Sequence, residues 1–161
     1  LKRSEILDLC SMLIMDMNAF LEKDPSANND YRFLLLSYSS FDAVIGYRIS
    51  NYILFNYGKV IEAKKISEYF KVRTGIEIHP AASIGHSFVI DHGVGTVIGE
   101  TCVIGDNCYF LQQVILGSFI LHLTKKKAAT LLLGIILKLE GLLEFLVRSV
   151  LAIMLKFHLT L

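Results

Sequence analysis

Two different rhythms of apolar and polar residues divide the chain. From Leu1 to about residue 73 the apolar positions recur three and four apart, as in "ILDLCSMLIMDMNAFL" and "FDAVIGYRISNYILF", with the polar stretch "EKDPSANNDY" between them. That spacing predicts amphipathic helices joined by a turn. From Thr74 to Gly117 the period changes to six: Ile78, Ile84, Ile90, Ile98, Ile104, Phe110 and Leu116 are evenly spaced except for one eight-residue step. Two positions before these residues stand Ala82, Phe88, Thr96, Cys102, Cys108 and Val114, small side chains apart from Phe88. Glycine follows at Gly85, Gly99, Gly105 and Gly117.

A six-residue period fits neither a helix nor a single strand, and it predicts a parallel β-helix of hexapeptide repeats with three short faces to a coil. The large residue points into the prism and the small one fills the remaining interior. Glycine is expected to permit the corner. The two extra residues between Ile90 and Ile98 must leave the coil as a bulge containing His92, Gly93, Val94 and Gly95. Seven hexads make little more than two coils, and open ends would expose unpaired strand edges, so further coils are expected.

Residues 118–161 do not supply them. "SFILHLTKKKAATLLLGIILKLEGLLEFLVRSVLAIMLKFHLTL" is leucine-rich, and Glu140, Glu144 and Arg148 would share one helical face. Read literally it is an atypical apolar helical tail. Its longest uncharged run, Ala128 to Leu137, is ten residues, short of the roughly 18 to 20 that span a bilayer. No membrane span is expected. The fold class is thus α+β: helical region 1–73, β-helix 74–117 and atypical tail 118–161.

Composition narrows the function classes. At 161 residues with 53% hydrophobic content the chain is long enough for a real core. A net charge of +1 gives no clustered basic footprint, so no nucleic-acid partner is expected. Cys10, Cys102 and Cys108 form no CxxC pair, and no N-terminal signal is evident, which places the chain in a reducing cytoplasm as expectation. The first residue, Leu1, is what a fragment or a displaced start would show. Cys102 and Cys108 occupy the small-residue position and read as packing groups.

The candidate chemistry centres on the bulge. His92 follows Asp91 and is flanked by glycine, and an imidazole suits proton transfer near neutral pH. Glu77 lies fifteen residues earlier, close to one coil of eighteen, and would reach the same region to orient the ring. The plain alternative is a polar corner residue. His79, next to Pro80, reads as a corner; His86, His122 and His158 have no supporting context. His79, Asp91, His92 and Glu100 have no metal-ligand spacing, so no metal is expected. Asp24 and Asp30 fall in a Pro-containing turn that alone reads as a solvated loop.

The run "TGIEIHPAASIGHSFVIDHGVGTVIGETCVIGDN…LQQVILG" resembles the serine O-acetyltransferases, hexapeptide-repeat acyltransferases with a left-handed β-helix. "KDP" and "YRISNYIL" extend the resemblance through the helical region, with Asn51 where that family usually has histidine. The resemblance implies acetyl transfer from acetyl-CoA, a cosubstrate rather than a bound cofactor, to the hydroxyl of L-serine for cysteine biosynthesis. It implies His92 as general base, Glu77 as its orienting acid, Asp24 and Asp91 as serine-binding residues, and Gly117 at the start of the acetyl-CoA groove. It also implies a homotrimer or a dimer of trimers. Two other readings stay open: a hexapeptide acyltransferase with another acceptor, and a non-catalytic truncated assembly partner.

The family continues beyond this point with an "RHP" motif and more hexads, where this chain has "KKKAATLLLGIILKLEG". Regrouping bases, so that each codon takes the third base of one printed codon and two from the next, restores the missing pattern. Ala128 with Ala129 permits arginine, Ala129 with Thr130 histidine, and Thr130 with Leu131 proline. Isoleucine codons then begin at Leu132, Lys138, Glu144, Val150 and Lys156, six apart. The tail reads as a hexapeptide region out of frame, with the adenine-rich codons of Lys125 to Lys127 as the slippage point, and a copy so altered is expected to be impaired. The gene's nucleotides check this: the shifted frame should encode "RHP" and the isoleucine period, and codons incompatible with that motif would contradict it.

Overall fold

The computed structural model describes residues 3–117, so the tail and its frame lie outside the described residues. Four helices come first: α1 (Arg3–Lys23), α2 (Tyr31–Ser37), α3 (Ser39–Tyr57) and α4 (Val60–Thr74), with a 3-10 turn over Pro25–Ala27 between α1 and α2. Local signals set these boundaries. The Asp24 side chain accepts from the Ser26 amide at 2.9 Å, and Pro25 stands at the first position of the turn, where its missing N–H costs nothing. Asp30 caps α2 by accepting from the Arg32 and Phe33 amides. Gly75 ends α4 in the left-handed region, φ 71°, and turns the chain into the first strand. The helical region therefore runs one residue past the boundary at 73, through Thr74.

Seven two-residue strands follow: β1 (Glu77–Ile78), β2 (Ser83–Ile84), β3 (Val89–Ile90), β4 (Val97–Ile98), β5 (Val103–Ile104), β6 (Tyr109–Phe110) and β7 (Ile115–Leu116). They form three parallel sheets, ordered β1-β4-β7, β2-β5 and β3-β6, so each coil visits every sheet in turn. Register locates the bulge: Glu77 pairs with Val97, twenty residues on, whereas Val97 pairs with Ile115, eighteen on. The two-residue excess is the bulge. Ile78, Ile84, Ile90, Ile98 and Ile104 are all buried, with Ala82, Phe88, Thr96, Cys102 and Cys108 beside them, as the hexad rhythm predicts.

The glycines act differently from expectation. Positive φ at the coil corners belongs to Ser87 (56°), Asn107 (57°) and Gln113 (61°), not to Gly85 or Gly99. What Gly85 and Gly99 supply is room for the next coil. A Cβ on Gly85 would lie 2.7 Å from the Asp106 amide nitrogen, and one on Gly99 3.2 Å from the Leu116 carbonyl oxygen. The repeat requires glycine for close stacking rather than for the turn itself.

The helices close the first coil. Arg48 on α3 pairs with Asp16 on α1 through Nε at 2.8 Å and Nη2 at 2.9 Å, and its guanidinium also donates to the carbonyls of Ile84 and Gly85. Asp16 Oδ1 in turn accepts from the Phe88 amide at 2.8 Å. Tyr47 donates to Ala82 O and accepts from Ile84 N, Asn51 donates to Pro80 O and Ala82 O, and Ser67 on α4 donates to Ile78 O. Backbone groups that a preceding coil would pair are thus satisfied by helix side chains. Burial opposes the Arg48 charge, but the Asp16 charge and hydrogen bonds outweigh it and raise the guanidinium pKa.

Among the described residues no helix is long and apolar enough to cross a membrane. Removing Arg48 leaves Asp16 buried without its countercharge, a change that costs about 3–5 kcal/mol in comparable sites. Arg48→Leu should lower the unfolding free energy by that order in urea titrations, whereas a loss under about 1 kcal/mol would show that the pair does not hold the cap.

Candidate active site

The bulge leaves β3 at Asp91 and rejoins the coil at Thr96, and three of its residues have positive φ: His92 at 60°, Gly93 at 74° and Gly95 at 79°. A Cβ on Gly93 would meet Ile76 Cδ1 and Ile90 Cγ2, both at 2.5 Å, so the loop sits directly on the core. It is tied from both sides. The Gly95 amide donates to Gly75 O at 2.9 Å, the Gln113 amide donates to Val94 O at 3.2 Å, and the Thr96 amide donates to Gly93 O at 3.0 Å. These bonds hold His92 in a backbone region that costs a non-glycine residue about 1–3 kcal/mol. Its side chain stands 73% exposed, as a group meant for solvent or a ligand would.

Around it the structure gathers charge from distant parts of the chain. Asp91 Oδ2 accepts a hydrogen bond from Tyr109 Oη at 2.7 Å, and His92 Nε2 lies 3.8 Å from that same oxygen, beyond hydrogen-bond distance. Asp24, at the start of the 3-10 turn, accepts from Ser26 Oγ at 2.6 Å, and Ser26 Oγ lies 3.0 Å from Tyr38 Oη. The Ser26 hydrogen bond, with help from Tyr38 and the positive charge of His92, outweighs partial burial and holds the Asp24 carboxyl below the usual range. The hydrogen bond to Asp91, then burial and the Asp91 and Asp24 charges, push the Tyr109 phenol up to about 12. At Tyr38 the Ser26 hydrogen bond pulls the pKa down, but burial, Asp24 and Asp91 together raise it.

Asp24 and Asp91, both half-buried, therefore bring their charges to bear around the exposed His92 and two protonated phenols. Two carboxylates beside an imidazole suit a small ligand that carries an ammonium group and a hydroxyl. Tyr109, Ser26 and Tyr38 are missed by sequence reasoning. Tyr109 had a signal only through the bulge, since the twenty-residue coil sets it in register with Val89, two residues before Asp91; Ser26 lies within a capping pattern; Tyr38 had none.

Glu77 is placed on β1, beside the Gly75–Ile76 segment on which the bulge rests, and its carboxylate meets Lys71 Nζ at 2.6 Å. The long first coil sets Val97, not His92, one turn beyond it. Gly117 is the last described residue after β7, and a Cβ added to it would meet no described atom within 4 Å. His79 is a corner residue whose Nδ1 accepts from the Ala81 amide at 3.2 Å. His86 has a structural partner: Asp106 on the next coil accepts from its amide at 2.9 Å and lies 3.3 Å from its Nε2. His122 and His158 lie outside the described residues. Among the described residues no three His, Cys, Asp or Glu side chains group as metal ligands. Cys10, Cys102 and Cys108 are buried; burial pushes the Cys10 thiol up to about 11 and also raises Cys108, as packing groups require.

No family model matches the chain. Serine acetyltransferases of Bacillus licheniformis and Bacillus subtilis are each 43% identical to it over 106 residues, 66% of this chain and 48% of theirs. The chain thus spans about half the length of the curated relatives it matches. Serine acetyltransferase of Neisseria gonorrhoeae, which has also been solved in complex with serine, superposes with a TM-score of 0.67 at 30% identity, over 73% of this chain and 45% of its own. Isoform 3 from Entamoeba histolytica, solved with cysteine, gives 0.68 at 35% identity, over 72% and 41%. Likeness in residue order and likeness in backbone path agree, and the chain belongs to the serine O-acetyltransferase family of hexapeptide-repeat proteins.

Proposed function

We propose that the chain carries the first half of a serine O-acetyltransferase site, transferring acetyl from acetyl-CoA to the hydroxyl of L-serine in cysteine biosynthesis. The observation that supports this reading is the exposed His92 on the bulge, with Asp91 Oδ2 3.8 Å from its Nε2 and the Asp24 charge of the helical turn acting on the same imidazole. Asp24 and Asp91 bind the ammonium group and set the serine hydroxyl toward the imidazole. His92, exposed on the bulge, takes the hydroxyl proton as the oxygen attacks the thioester, and its protonated form assists departure of the thiolate. Backbone N–H groups stabilise the tetrahedral oxyanion.

Glu77 orients the imidazole in this reading, which requires its carboxylate to exchange Lys71 for His92 as substrate binds. Gly117 begins the acetyl-CoA groove; the coenzyme is a cosubstrate and no cofactor is bound. The β-helix is left-handed, and a homotrimer or dimer of trimers completes the groove between the β-helices of neighbouring subunits. Buried cysteines at packing positions, with no CxxC pair, fit a reducing cytoplasm. The printed residues 118–161 lack the hexads and the second histidine of the family, so this copy is impaired.

Assay of CoA thiol release tests both parts. The 161-residue chain should show no serine-dependent release, and a measurable rate would refute the impairment. Joined after Gly117 to the C-terminal half of the Bacillus subtilis relative, it should become active. In that chimera His92→Asn should lower kcat by about 10²–10⁴-fold, the usual worth of a positioned base. Asp24→Asn should chiefly raise the serine KM. An active chimera indifferent to His92→Asn would sink the assignment of the base.

A further inference from the structure

Tyr109 takes no part in the reaction just proposed, yet it makes the shortest contact to Asp91. Its phenol donates to Asp91 Oδ2 at 2.7 Å, and that is the oxygen to which His92 Nε2 comes within only 3.8 Å. One carboxylate oxygen thus has two claimants: the phenol is hydrogen-bonded to it, and the imidazole stands at ion-pair distance without a hydrogen bond. We propose that Tyr109 is a positioning residue for the His92 base: by holding Asp91 Oδ2 it keeps that carboxylate from closing to a hydrogen bond with the imidazole, and so leaves His92 Nε2 available to the substrate hydroxyl. This deepens the reading of His92 as base and rests on it.

The placement follows from the coil. Val89 on β3 is directly in register with Tyr109 on β6, so a side chain at 109 stands beneath the end of β3, where Asp91 leaves the sheet. Tyr109 is 38% exposed and therefore lies at the mouth of the site rather than in the core. The Asp91 amide donates to Phe110 O at 2.8 Å, which fixes the acid against the same strand. The phenol is a durable donor, because its proton is held to about pH 12. It does not ionise over any range in which the imidazole titrates.

Other charged groups face the loop without filling this role. Asp24, from the helical turn, acts on His92 through its charge and is itself hydrogen-bonded by Ser26. Tyr38 lies with Ser26 on that same side. Glu77, on the strand beneath the loop, is engaged by Lys71. Asp91 is the carboxylate adjoining the ring, and Tyr109 decides where its oxygen points.

The consequence has a sign. Without the phenol, Asp91 Oδ2 is free to accept from the imidazolium, and a close carboxylate favours the protonated ring. Less neutral base then remains at a given pH. The test is an NMR titration of the His92 ring signals in the full 161-residue chain, which needs no acetyltransferase activity and so separates this inference from the proposed function. Tyr109→Phe keeps the ring and removes the hydroxyl; it should move the His92 midpoint to higher pH. Tyr109→Ser, whose hydroxyl is too short to reach Asp91, should move it the same way and serves if the first variant folds poorly. In an Asp91→Asn background Tyr109→Phe should leave the midpoint in place. A midpoint that stays or falls on losing the phenol, or one that still rises in the Asp91→Asn background, overturns the proposal.

Discussion

The buried pairing of Arg48 with Asp16 is the contact on which the rest of the described structure depends. A stack of parallel coils has a first coil whose outer backbone groups have nothing to pair with, and such an edge is costly when buried and sticky when exposed. Here the cost is met by charge. The guanidinium directs two donors to Asp16 and one each to the carbonyls of Ile84 and Gly85, while Asp16 Oδ1 still accepts from the Phe88 amide. One ion pair therefore joins α1, α3 and the segment from β2 to β3. Tyr47 and Asn51, one position before and one turn after Arg48 on α3, extend the same cap over residues 80 to 84.

The site inherits its geometry from that cap. Asp16 and Asp24 lie on and just after the same helix, so fixing α1 against the coil also fixes where the chain turns at Asp24. The coil contributes the other half through a two-residue excess, which lifts Asp91 and His92 off the prism while Gly93 lets the loop rest on Ile76 and Ile90. Neither half alone supplies both acids, Asp24 from the helical turn and Asp91 from the coil. At the opposite end, among the described residues, Ile115 on β7 is 72% exposed and a Cβ added to Gly117 would meet no atom within 4 Å.

Much of this was legible along the chain because the interior of a narrow prism admits one large and one small residue per face. Ile78 through Ile104 announced the inward positions, and the single eight-residue step announced the bulge and its histidine. Less visible were features that exist only after the two regions meet. No local pattern says that Arg48 will reach the carbonyls of Ile84 and Gly85, nor that Tyr38 will lie near Asp91. Glycine misled, since the repeat marks where the next coil comes close rather than where the backbone turns left-handed. Glu77 was placed by counting a coil of eighteen, but the bulge makes that coil twenty, and in the structure its carboxylate meets Lys71.

The claim that unites these features is that helical turn and coil build one site, with Asp24 and His92 close enough to feel each other's charge. A carboxyl titration reads this directly, because an imidazole is cationic in the acid range where carboxylates titrate. The Asp24 side-chain carbon can be followed by NMR in the full chain and in His92→Asn. Removing the positive charge should raise the Asp24 midpoint, while an unchanged midpoint would mean that the helical turn is not held over the bulge and would contradict the account.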